Sequence, residues 1–64
     1  MSENWQQRDA DEFKIGDTIE NPANGASETV TMVNIINRTN MEIQWTGWHV
    51  RSVLRTDKFW RLEK

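Results

Sequence analysis

Three of the four tryptophans, one of the two phenylalanines and the only histidine fall between Trp45 and Leu62. No other stretch carries comparable bulk, and the chain has no cysteine. A domain of 64 residues buries only about 60% of the surface its unfolded chain exposes. With neither a disulfide nor a thiolate metal site available, packing alone must hold it together. Large aromatic side chains, each able to bury about 150–250 Å², fill so small a core with few residues. The aromatic segment is therefore where both core and binding surface are expected.

The apolar spacing is that of strands. Met41-Glu42-Ile43-Gln44-Trp45 alternates strictly, with Met41, Ile43 and Trp45 on one face. Glu28 to Asn37 is rich in β-branched residues, but its alternation slips phase: Val30 and Met32 share one parity, Val33 and Ile35 the other. Such a slip predicts a β-bulge or a sharp bend. Turn chemistry separates the segments at Gly16-Asp17, at Asn21-Pro22 and Asn24-Gly25, at 37–40 and at Thr46-Gly47. Five strands are predicted, near 18–21, 28–37, 41–46, 48–55 and 58–63.

The last two are expected to pair as a hairpin around a loop at Arg55-Thr56-Asp57. Register is set by whichever pairing buries one consistent face. A three-residue loop sets Leu54 against Lys58, Ser52 against Trp60 and Val50 against Leu62. That pairing gathers Val50, Leu54, Trp60 and Leu62 inward with Trp45 and Trp48. It turns His49, Arg51, Val53, Phe59 and Arg61 outward, with Arg51 opposite Arg61. Five sequential strands make an antiparallel meander, and curling into a small barrel would hide its edges. The fold class is thus all-β, a single domain over 13–64 preceded by a loosely ordered, acidic polar arm over 1–12. Trp5 is the arm's only large apolar group and is placed at the periphery.

Net charge is −2 and unevenly spread. Residues 1–33 hold seven carboxylates against two cations, and 34–64 hold six cations against three carboxylates. One outcome is mutual neutralisation; the other is a polarised surface. The absence of cysteine, of a signal-type apolar run and of any long apolar stretch points to a cytoplasmic protein without a membrane segment.

The segments Phe13 to Ile19, Glu28 to Val33 and Ile43-Gln44-Trp45, with a loop to Gly25, resemble SH3-like small barrels of the Tudor or KOW kind. The resemblance covers roughly 13–62 and implies a small barrel; the dense aromatic loop cluster that a Tudor-type cage would need is not evident. Val50 to Leu54 with Phe59 to Leu62 is also similar to hairpins of small uncharacterised phage or prophage proteins.

Catalytic chemistry finds little footing: one histidine, no cysteine and no tyrosine. A general base needs a partner and a pocket. Asp9, Asp11 and Asp17 do not match the calcium-loop spacing, and Asn24-Gly25 lacks the glycines and lysine of a phosphate loop. No catalytic residue, metal ligand or cofactor is expected. The partner-binding candidates are His49, Arg51, Arg55, Lys58, Phe59 and Arg61. Opposed arginines are relieved by an anion, and an exposed aromatic among arginines has the composition of an interaction hot spot. The reading is a non-enzymatic protein–protein interaction module or adaptor. Nucleic-acid binding through the basic, aromatic hairpin is the second reading, and a structural subunit pairing through strand edges the third. The sequence leaves monomer and weak homodimer both open.

Overall fold

In the computed structural model, which describes residues 3–63, the chain is all-β. Six strands, β1 Asn4–Asp9, β2 Thr18–Glu20, β3 Ser27–Ile35, β4 Asn40–Trp45, β5 Arg51–Leu54 and β6 Lys58–Glu63, form one antiparallel sheet. Their order is β1-β6-β2-β3-β4-β5. No α-helix occurs among the described residues, and none there is long and apolar enough to cross a membrane.

Strands β2 to β5 follow the expected meander. The phase slip in β3 is a register irregularity between Val30 and Met32: Val30 faces Trp45, while Met32 faces Gln44. The extra residue lets both Val30 and Val33 turn inward, against Trp45 and Ile43. Gly16, at φ 98°, makes the turn before β2, and its N–H donates to the Val30 carbonyl at 2.9 Å. The 37–40 turn is built on the Asn37 side chain, whose Oδ1 accepts the N–H groups of Thr39 and Asn40 at 2.9 and 2.8 Å.

Three expectations are corrected. The sheet has six strands rather than five, and it does not close into a barrel: β1 and β5 are its two edges. The added strand lies in the segment read as a polar arm, where Asn4–Asp9 pairs with β6 along its whole length. The first two residues of that segment lie outside the described residues. Finally, β5 and β6 are not a hairpin. Asp57 Oδ2 accepts the Leu54 N–H at 3.0 Å, and the Asp57 N–H donates to the Leu54 carbonyl at 3.0 Å. The N–H groups of Ala10 and Asp11 donate to the carbonyls of Asp57 and Arg55 at 2.7 and 3.2 Å. These bonds make residues 55–57 a corner anchored on the turn Ala10–Glu12. The chain leaves it for the far side of β2, where β6 lies between β1 and β2.

The corner inverts the expected faces. Val53, opposite Met41, is 8% exposed, while Leu54 is 50% exposed. Phe59 packs against the core and Trp60 is 42% exposed. Val50 is exposed and Leu62 only half-buried. None of the expected pairs Leu54–Lys58, Ser52–Trp60, Val50–Leu62 or Arg51–Arg61 exists: Arg51 faces Ile43, and Arg61 faces Gln6 and Ile19. The core is Ala10, Phe13, Ile19, Val30, Met41, Ile43, Trp45 and Val53, flanked by Val33, Trp48 and Phe59.

Substitution at neighbouring positions separates the two faces. Met41→Ala is expected to lower stability by about 2–5 kcal/mol. Leu54→Ala should change it by no more than about 0.5 kcal/mol. Urea midpoints of the two variants measure the difference.

Candidate functional site

The candidate residues are dispersed, and most of the cations are already paired. Lys58 sits directly across from Asp9 and forms an ion pair with it; the hydrogen bond to that carboxylate raises the ammonium's pKa. Arg55 Nε lies 3.4 Å from Asp11 Oδ2, and its Nη1 donates to the Asn37 carbonyl at 3.3 Å. Arg61 is the most heavily held. Its Nε donates to Glu63 Oε2 at 2.5 Å, and its Nη1 donates to the Glu12 carbonyl at 2.8 Å and lies 3.6 Å from Asp17 Oδ2. The Glu63 hydrogen bond raises the Arg61 pKa. Reciprocally, Arg61 first and Arg8 second hold the Glu63 carboxyl below its ordinary range. Arg8 Nη2 lies 3.5 Å from Glu63 Oε1. Three of these pairs, Lys58–Asp9, Arg55–Asp11 and Arg61–Asp17, join a cation of the second half of the chain to a carboxylate of the first.

An open cleft of about 450 Å³ borders this cluster, lined by Lys14, Gly16, Asp17, Thr18, Arg61, Leu62 and Glu63. An anion entering it would have to displace Glu63 and Asp17 from Arg61. Phe59 is no exposed contact either. Its ring lies edge-on to Phe13 and Trp45, with centroids 6.3 and 6.2 Å apart.

Arg51 and His49 remain, and the fold brings them together at the end of β4. Trp45 closes that strand, facing inward and 1% exposed. The reversal that follows is tied to β3: the Thr46 N–H donates to the Thr29 carbonyl at 2.9 Å, and the Thr29 N–H donates to Thr46 Oγ1 at 3.1 Å. Gly47, at φ 76°, occupies the left-handed position that favours glycine. The Trp48 N–H then donates to the Trp45 carbonyl at 3.2 Å, and Gln44 Nε2 donates to the Trp48 carbonyl at 3.1 Å. Trp48 is left half-buried against the core. His49 stacks on it, with ring centroids 5.5 Å apart and planes 21° from parallel. Arg51, on the inward parity beside Ile43, sets its guanidinium carbon 5.6 Å from the Trp45 ring centroid.

Arg51 alone among the candidate cations has no carboxylate within 4.0 Å among the described residues. A guanidinium over an indole face is attracted by the ring quadrupole and keeps its donor edge for an incoming acceptor. Trp48, His49 and Arg51 thus form a rim of flat rings and an unneutralised cation on a buried Trp45. Sequence reasoning placed Trp45 and Trp48 on the core face; Trp45 is in the core, and Trp48 is half-buried at its margin. The signal available was the short spacing from Trp45 through Gly47 and Trp48 to Arg51. No group of three or more His, Cys, Asp or Glu side chains placed to hold a metal ion occurs among the described residues.

Comparison with protein-family models, with curated proteins and with solved structures gave no match.

The Glu63 clasp makes the fold acid-sensitive in a defined direction. A carboxyl with a lower pKa folded than unfolded contributes stability above its unfolded pKa, and that contribution fades as pH falls through the folded value. Glu63→Gln is therefore expected to lower the Tm at pH 7 and to converge with the unaltered protein towards pH 3. Thermal unfolding at the two pH values checks this.

Proposed function

We propose that the chain is a non-enzymatic protein–protein interaction module that meets its partner through the Trp48–His49–Arg51 rim. The observation carrying this reading is Arg51, the candidate cation with no carboxylate within 4.0 Å among the described residues, held over Trp45 beside the Trp48–His49 stack. Aromatic and arginine side chains dominate binding energy in protein interfaces. The paired state of Arg55, Lys58 and Arg61 weighs against nucleic acid, because each would need its carboxylate displaced before contacting a phosphate. The negative net charge weighs the same way. The SH3-like resemblance belongs to the same proposal. It draws support from the order β6-β2-β3-β4-β5 and from the long, irregular β3, although the sheet is open.

A pull-down from lysate, run in parallel with the protein and its Arg51→Ala and Trp48→Ala variants, tests the proposal. One protein should be enriched, with at least about tenfold weaker binding by each variant, as expected for loss of a hot-spot residue. Binding to single-stranded oligonucleotides that weakens steeply with salt and is lost in Arg51→Ala would instead establish the nucleic-acid reading.

A further inference from the structure

Among the described residues the open sheet leaves β1 with an unpaired edge, and we infer that this edge pairs with β1 of a second copy in a two-fold symmetric, antiparallel dimer. This surface is separate from the Trp48–His49–Arg51 rim and does not depend on it.

The orientation of the free edge follows from the ladder. Ala10 donates its N–H to the Asp57 carbonyl at 2.7 Å, continuing the register in which Asp9 faces Lys58. Hydrogen-bonded pairs alternate along an antiparallel ladder. Asn4, Gln6 and Arg8 therefore bond β6, while Trp5 and Gln7 turn their N–H and C=O groups to the open side. Unguarded edges of this kind are templates for another strand, and proteins usually blunt them with Pro, Lys, bulges or short length. Asn4–Asp9 is six residues long and contains neither Pro nor Lys, and its register with β6 is unbroken. Its two charges are engaged at home, Arg8 with Glu63 and Asp9 with Lys58.

The edge is also complementary to itself. Directly opposed residues share a face, so a two-fold pairing must match residues of like parity. Centring the axis on Gln6 meets this condition. Trp5 then faces Gln7 of the second copy through reciprocal backbone hydrogen bonds, and the two Gln6 side chains meet on the axis. Asn4 faces Arg8 of the other copy. The two Trp5 rings become diagonal neighbours, within reach for aromatic side chains. They lie on the same outward face as Leu62 and the exposed Trp60 of their own β6. A second copy thus pairs the open N–H and C=O groups of Trp5 and Gln7 and brings the two Trp5 rings together across the axis.

Sedimentation equilibrium from 1 μM to 1 mM tests the inference, with two variants that keep the chain folded. Gln7→Pro removes an edge-facing N–H and leaves the β6 ladder whole. Gln6→Glu places a carboxylate opposite Arg61 within one chain but sets two carboxylates against each other across the axis. The protein is expected to reach twice its 7.6 kDa mass, and each variant to dissociate at least about tenfold more readily with its far-ultraviolet circular dichroism unchanged. The Gln6→Glu defect should reverse near pH 4, where the opposed carboxylates take up protons. A monomer throughout the range overturns the inference, as does a dimer that both variants leave intact.

Discussion

The structure depends on where Phe59 goes. Its ring sits edge-on to both Phe13 and Trp45, and these three aromatics come from distant parts of the chain. Phe13 follows the short turn after β1, Trp45 ends β4, and Phe59 lies on β6. Edge-to-face pairs add about 0.5–1.5 kcal/mol beyond the area they bury, a substantial share of the stability of a domain this small. The contact helps join the β1-β6-β2 half of the sheet to the β3-β4-β5 half, alongside the β2–β3 ladder, the corner at residues 55–57 and the packing of Ala10 and Ile19 into the same core. It also holds from within the indole over which Arg51 lies. The packing that stabilises the fold and the placing of the candidate rim therefore meet at Trp45.

Charge follows the same division. The acidic early segment and the basic late segment are brought together because β6 inserts between β1 and β2. Arg8, Arg61 and Glu63 form one cluster, Lys58 meets Asp9, and Arg55 meets Asp11. Exposed pairs of this kind contribute little singly. Their larger consequence is electrostatic: they neutralise three candidate cations and leave Arg51 as the candidate with no carboxylate within 4.0 Å among the described residues.

Much of the strand pattern was legible because local rules decide it. Met41 to Trp45 alternates and is buried as it alternates. The phase slip around Thr31 is a real irregularity, and Gly16 and Asn37 make the turns their chemistry favours. The part that was not legible is non-local. Leu54, Trp60 and Leu62 outweigh Val53 and Phe59 in bulk, so a face chosen by bulk is the wrong one. The corner at 55–57 is decided by hydrogen bonds from Ala10 and Asp11, groups nearly fifty residues away in sequence. β1 was hidden for a related reason. An edge strand whose inward positions are Asn4, Gln6 and Arg8 needs no apolar alternation, and its partner is the last strand of the sheet. The site residues failed or survived with the register: Arg51 opposite Arg61 vanished, while His49 and Arg51 stayed together because a short connection and one strand carry both.

The central claim, that Phe59 rather than Trp60 holds the two halves of the sheet together, is tested most directly by urea unfolding of Phe59→Ala and Trp60→Ala side by side. Phe59→Ala is expected to lose about 3 kcal/mol or to unfold outright. For Trp60→Ala the expected change is below about 1 kcal/mol. A stable Phe59→Ala beside a strongly destabilised Trp60→Ala would contradict the claim.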